Sequence, residues 1–331
     1  MKVLLLGGTG NISYQVLVSL LDQGIKVTIL YRGSSQFSRR IIDHPNLIKI
    51  IGDVNNKELL KLIAIDNYDI IVDFICYTKE QAHQRISLFL NKVKKYFFVS
   101  TTAFYSKNPK HLPYTENCPI DNLQWQYCFG KYQAEREFIN SFERLAFPVV
   151  ILRLAHTYDT VLPVSVGPSD WTIPNRILTD RPIIVHGDGT GIWSLLHAHD
   201  AASAIHNLIS VSDNIGEVIN VVSQERYTWL YITKLMYKIL GKEENIVFVP
   251  SKSINKMSPY LGDGILNHKM WCDYYNNSKL LSYIPKWAPV LSLKDGLQLS
   301  LDWYKNNKTR HHISSELDTV IDQIVFKYIN I

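Results

Sequence analysis

The chain has 331 residues, 46% of them apolar and 20% charged, with a formal net charge of +5. A compact chain of this length hides roughly 75% of its unfolded surface, so a large core needs no staples and low-hydropathy disorder is excluded. Cys76, Cys118, Cys128 and Cys272 fall at neither zinc-ribbon nor redox spacing, and no HExxH-type signature is present, so no metal is expected.

The apolar start, residues 1–6, meets Gly7-Gly8 too early for a signal peptide or a membrane span. A cytoplasmic, reducing location is the expectation. The basic residues behind the pI of about 8.8 are scattered, which argues against a nucleic-acid patch.

In chain order, short apolar runs alternate with helix-length segments. KVLLL (2–6), KVTILY (26–31), LIKII (47–51), IIVDF (70–74), YFFVS (96–100) and VVILRL (149–154) read as strands. They are continuous rather than alternating, as in a parallel sheet covered on both faces. Residues 13–23, 58–65, 79–91 and 127–142 read as helices between them. This repeat points to a doubly wound α/β sheet. After about residue 155 prolines and Gly187-Asp188-Gly189-Thr190-Gly191 break the rhythm. Helices are then expected at 199–209, 227–240 and 293–305, with a strand at 218–222 returning to the sheet. Residues 248–289 show turns and no long period. The second half reads as a lobe closing over the sheet.

Gly7-Gly8-Thr9-Gly10-Asn11-Ile12-Ser13 follows the first strand and opens the first helix. Glycine lets the backbone approach a pyrophosphate, and the helix N-terminus supplies unpaired N–H groups. Gly7, Gly10, Asn11 and Ile12 are therefore candidate dinucleotide contacts. Ser13 stands where a third glycine is usual. The second strand ends without the acid that binds the ribose of NAD. Arg32, with Ser34 or Ser35, offers partners for a 2′-phosphate, so NADP is the preferred cofactor and NAD the alternative. Arg32 stacking on adenine is the competing reading. Asp53 and Val54 follow the third strand, near the expected adenine position.

Tyr127 and Lys131 stand at i and i+4, on one helix face. A lysine ammonium favours the phenolate. A three-unit shift from the usual tyrosine pKa would need roughly 4 kcal/mol. Such a tyrosine passes the hydroxyl proton while a nicotinamide exchanges hydride, and the lysine would also hold the nicotinamide ribose. Thr101, at the end of the fifth strand, is the chosen hydroxyl for orienting the substrate oxygen, with Ser100 and Thr102 as rivals.

These residues resemble an extended short-chain dehydrogenase/reductase of the NAD-dependent epimerase/dehydratase family. The matching segments are GGTGNIS (7–13), GDV (52–54), VSTTAFY (99–105), YCFGK (127–131), ILRLAHTYD (151–159), HGDGTGIWSLLHAHD (186–200) and SLKDGLQLSLDWY (292–304). The resemblance implies a Rossmann core over 1–160 that receives further elements from about 186–225. A smaller C-terminal substrate-binding lobe, mostly 161–331, would interleave with it. It also implies Thr101, Tyr127 and Lys131 as the catalytic set, a nucleotide-linked sugar as substrate and a homodimer.

Family dehydratases commonly carry acids after the catalytic threonine, where this chain has Thr102-Ala103. The expected activity is NAD(P)-dependent hydride transfer at a secondary alcohol or ketone. The alternatives are a 4-epimerase with retained NAD and a non-catalytic nucleotide- or RNA-binding scaffold. Candidate substrate contacts are Thr102, His156, Trp171, Arg176 and Trp193. Arg176 could equally serve the lobe itself, and Trp171 could equally belong to its core.

Overall fold

The computed structural model describes residues 1–34 and 41–329. Ser35, one of the two serines offered as phosphate donors, lies outside the described residues. The first half alternates as β1 (Lys2–Leu6), α1 (Ser13–Asp22), β2 (Lys26–Tyr31), β3 (Leu47–Ile51), α2 (Lys57–Ile63), β4 (Tyr68–Asp73), α3 (Lys79–Phe89), β5 (Val93–Thr101), α4 (Gln126–Leu145) and β6 (Val149–Leu154). The second half begins with β7 (His156–Tyr158), α5 (Thr172–Leu178), β8 (Ile183–His186), β9 (Ile192–Trp193), β10 (Leu195–His197), α6 (Ala198–Ile209) and β11 (Val218–Val221). It continues with β12 (Tyr227–Thr228), α7 (Trp229–Leu240), β13 (Ile246–Val249), α8 (Ser251–Met257), α9 (Pro259–Gly264), a π-helical turn (Ile265–Lys269), α10 (Ser278–Tyr283), α11 (Leu293–Asn306) and α12 (Ser315–Ile329).

Seven strands form one sheet in the order β11-β6-β5-β4-β1-β2-β3, and every pairing in it is parallel. This is the Rossmann-type sheet with a C-terminal, largely helical lobe. The chain runs outward from β1 through β2 and β3, then restarts at β4 and runs the other way. Strand order therefore reverses between β1 and β4, and the crevice beyond their C-terminal ends is where such sheets take ligands.

Both faces of the sheet are covered, which explains the uninterrupted apolar strands. Leu5, Val16, Leu20, Ile205 and Leu208 belong to the core under α1 and α6. Leu4, Leu60, Phe89 and Phe138 belong to the one under α2, α3 and α4. The second half returns β11 to the sheet beside β6.

The lobe has its own core, including Trp171, Ile177, Ile184, Tyr237, Tyr304 and Ile324. One expectation falls short here, and one stretch holds more than its turns. The turn-rich stretch 248–289 contains α8, α9, the π-turn and α10, none longer than seven residues. Segments of two turns or fewer complete no readable helical period. The chain also ends in a further helix, α12, beyond the one expected to be last. Among the described residues, no helix is long and apolar enough to cross a membrane.

Candidate active site

The turn between β1 and α1 is built for a close backbone approach. Gly8 has φ +89°, and a Cβ there would stand 2.7 Å from Ile29 Cγ2, so only glycine keeps the turn against β2. No side chain caps the N-terminus of α1, and no acid lies in its first turn. Its N–H groups are thus left for an anion. These features fit a dinucleotide pyrophosphate. Ser13 modifies the turn, because its Oγ accepts the N–H of Gly10 at 3.0 Å. Asn11 ties the turn to the segment after β6, donating to Thr157 O at 3.0 Å and accepting from Val161 N at 3.0 Å.

A cleft of about 700 Å³ runs from this turn along the strand ends. Gly7, Gly10, Asn11, Ile12, Arg32, Asp53 and Val54 line one end of it. Thr101, Thr102, Tyr127, Lys131, Trp125, His156 and His268 line the rest. Among the described residues, no group of three or more His, Cys, Asp or Glu could hold a metal ion.

α4 is anchored for this purpose by charge. Its Glu135 accepts from Ser100 Oγ on β5 at 2.7 Å and is paired with Arg153 on β6. Gly130 lets the helix approach closely, since a Cβ there would lie 2.5 Å from Tyr77 O. The Tyr127 phenol and the Thr101 hydroxyl both line this cleft.

Lys131 is buried. Its Nζ donates to Val99 O at 2.7 Å and lies 4.4 Å from the centre of the Tyr77 ring. The expectation that Lys131 lowers the Tyr127 pKa is corrected. Partial desolvation at the cleft wall raises the phenol, with the neighbouring Thr101 hydroxyl opposing. Burial likewise lowers the Lys131 ammonium to about 8. The cause is geometric: the buried ammonium is spent on a strand-end carbonyl and an aromatic face, while Tyr127 stays 38% exposed.

Four of the sequence-predicted contacts lie outside the cleft lining. Ser34 is exposed beyond β2. Trp171 is buried and stacks on His311 and Tyr304, with ring centres 4.5 and 5.4 Å away. Arg176 is fully buried, donating to Asp318 Oδ1 at 2.7 Å, Asp322 Oδ1 at 2.8 Å and the carbonyl of Pro182. Trp193 packs on Trp229 at 4.9 Å and donates to Trp271 O at 2.8 Å. The lobe uses these large side chains for its own cohesion.

Sequence reasoning missed Tyr77, Trp125 and His268, all of which line the cleft. Tyr77 follows β4, and the rule that ligands bind beyond strand ends would have flagged it. His268 sits in a segment without periodicity, where no signal pointed to it.

The model of the NAD dependent epimerase/dehydratase family matches residues 3–221. The chain belongs to that family. Membership makes it an enzyme of the NAD-linked oxidoreductase or epimerase type, with nucleotide sugars as the family's substrates. Relatives include a trifunctional UDP-glucose 4,6-dehydratase, 3,5-epimerase and reductase of Arabidopsis thaliana, 23% identical. That match takes in 80% of this chain but only 40% of the relative. A chloroplast stem-loop binding protein of 41 kDa from the same plant is 21% identical, over 98% of this chain and 84% of the relative.

The solved dTDP-glucose 4,6-dehydratase of Bacillus anthracis superimposes with a TM-score of 0.75 at 22% identity, covering 94% and 98% of the two chains. The UDP-glucose 4-epimerase of Thermus thermophilus does so at 0.74 and 18%, covering 92% and 99%. Both are complexes with NAD. They overturn the preference for NADP. The physical weakness of that preference is visible here: Arg32 is exposed at the cleft edge, and a single solvated guanidinium discriminates poorly between phosphate and hydroxyl.

Proposed function

We propose that the chain is a nucleotide-sugar epimerase of the 4-epimerase type that retains NAD. The observation that carries this reading is a single cleft with the glycine turn at one end and Thr101, Tyr127 and Lys131 together further along. Bound NAD supplies a hydride acceptor that later serves as donor. The turn from Gly7 to Ile12 would hold its pyrophosphate, and Asp53 and Val54 would border its adenine. Tyr127 would take the proton of the sugar hydroxyl as that carbon is oxidised and return it after the ketone has turned its other face. Thr101 would hold the same oxygen in place.

Lys131, one helical turn away on the same face, would hold the nicotinamide ribose.

Gentle purification, denaturation and mass spectrometry of the released nucleotide test this reading. About one NAD per chain, together with interconversion of UDP-glucose and UDP-galactose, is the expected result. A chain that releases no nucleotide and binds NADPH in preference to NADH would defeat it.

A further inference from the structure

The substrate half of the cleft holds a proton-handling pair separate from Tyr127. His268 lies in the π-helical turn Ile265–Lys269, a helical form that recurs at functional sites. Its Nε2 bonds Asp273 Oδ2 at 2.8 Å. Asp273 is in turn fixed on every side. Lys107 Nζ donates to its Oδ1 at 2.9 Å, and Tyr275 OH donates to its Oδ2. Its backbone exchanges hydrogen bonds with Ile192 and Ser194. Thr102, next to Thr101, donates to Tyr275 OH at 2.7 Å. A continuous chain thus joins the catalytic strand end to the imidazole. Trp125 stands between His268 and Tyr127, with ring centres 6.1 and 5.2 Å from theirs.

Lys107 and the hydrogen bonds from His268 and Tyr275 hold the Asp273 carboxyl well below its usual range despite burial, so it accepts and Nε2 carries the proton. Burial and Lys107 push the imidazole pKa down, against Asp273, so the neutral ring leaves a lone pair on Nδ1. That nitrogen has no hydrogen-bond partner among the described residues and is not sealed from solvent, while the ring lines the cleft. An oriented, uncharged imidazole lining the same cleft as Thr101 and Tyr127 is the arrangement of a general base.

We propose that His268 is a second catalytic residue, removing and returning a C–H proton on a carbon adjacent to the ketone made at the Tyr127 centre. The C–H bond breaks as an N–H bond forms at Nδ1. The electron pair moves into an enolate whose oxygen is held by Thr101 and Tyr127. Reprotonation reverses the step, so no oxidant is consumed. The site would then invert or exchange centres beside the ketone. As an activity on this chain's own substrate it rests on the epimerase reading, because the ketone must first be formed.

The test supplies that ketone directly. NAD-loaded protein is incubated in D2O with UDP-4-keto-6-deoxy-glucose, and deuterium at the carbons flanking the ketone is followed by mass spectrometry and NMR. Exchange at least about 100-fold above the protein-free rate is expected. His268→Gln, which keeps a donor toward Asp273, should lose that rate at saturation without a rise in KM. A merely structural role would instead raise KM or lower the melting temperature. Wild-type exchange no faster than solution, or His268→Gln exchanging like wild type, would overturn the proposal.

Transient NADH absorbance with UDP-glucose separates the two readings. NADH without exchange defeats His268 alone, exchange without NADH defeats the epimerase reading alone, and neither defeats both.

Discussion

Gly10 donates its backbone N–H to Ser13 Oγ at 3.0 Å, so the turn that faces the cleft occupies one of its own donors. In the proposed complex that donor faces a pyrophosphate, to which a hydrogen bond is charge-assisted and stronger than one to a hydroxyl. Ser13→Ala removes the competitor without adding bulk. NAD should bind about three- to tenfold more tightly, the net worth of an ordinary hydrogen bond after exchange with water. Calorimetric titration of the nucleotide-free protein checks this, and an unchanged affinity would mean that the Gly10 N–H never meets the phosphate.

Lys131 gives a pH dependence with two opposite signs. Its folded pKa is lowered by burial to about 8, whereas an unfolded lysine titrates at about 10.4. Between those values the unfolded chain binds more protons, so this residue's contribution to stability rises with pH. Below about 8 both states are charged and the burial cost is present in full. Cofactor binding runs the other way, because the ammonium is lost as pH rises through about 8. NAD affinity should therefore fall nearly tenfold between pH 7 and about 9. Lys131→Met should bind NAD weakly and with a flat profile over that range.

Tyr127→Phe removes the phenolic oxygen and leaves the ring against Trp125, whose centre is 5.2 Å away. The expected loss in kcat is about 10²- to 10⁴-fold, the usual worth of a positioned acid–base group. NAD binding should stay within about twofold, since the glycine turn and Lys131 that would hold the cofactor are left untouched. A variant that keeps its kcat would remove Tyr127 from the chemistry.

What the sequence disclosed, and what it withheld, follows from the range of the forces involved. VVILRL and YFFVS lie inside strands buried on both faces, and continuous apolarity states that locally. The i, i+4 spacing of Tyr127 and Lys131 needs only a helix to become a shared face. The direction of the lysine does not follow from spacing. It depends on Val99, 32 residues away in sequence. Trp171 and Trp193 were candidate substrate contacts, because an indole serves a ligand or a core equally well, and only the packing of the lobe decides. His268 was invisible for a related reason: its role is made by Asp273, Lys107 and Tyr275, whose meeting no periodicity announces.

Arg176 tests whether the lobe keeps its buried cation for structure. The guanidinium bridges α5 to α12 through Asp318 and Asp322 and also satisfies the carbonyl of Pro182. Arg181 pairs with the same two acids, so Arg176→Met leaves them a second partner. The carbonyl would lose both of its Arg176 donors, while Asp322 is half exposed and recovers water. The net destabilisation should be about 2–4 kcal/mol, at the lower side of a broken buried pair. It should appear as a lower denaturant midpoint at an unchanged slope. KM for the sugar nucleotide, measured well below the melting temperature, should not move. A tenfold rise in KM at intact fold would return Arg176 to the substrate, which its absence from the cleft lining argues against.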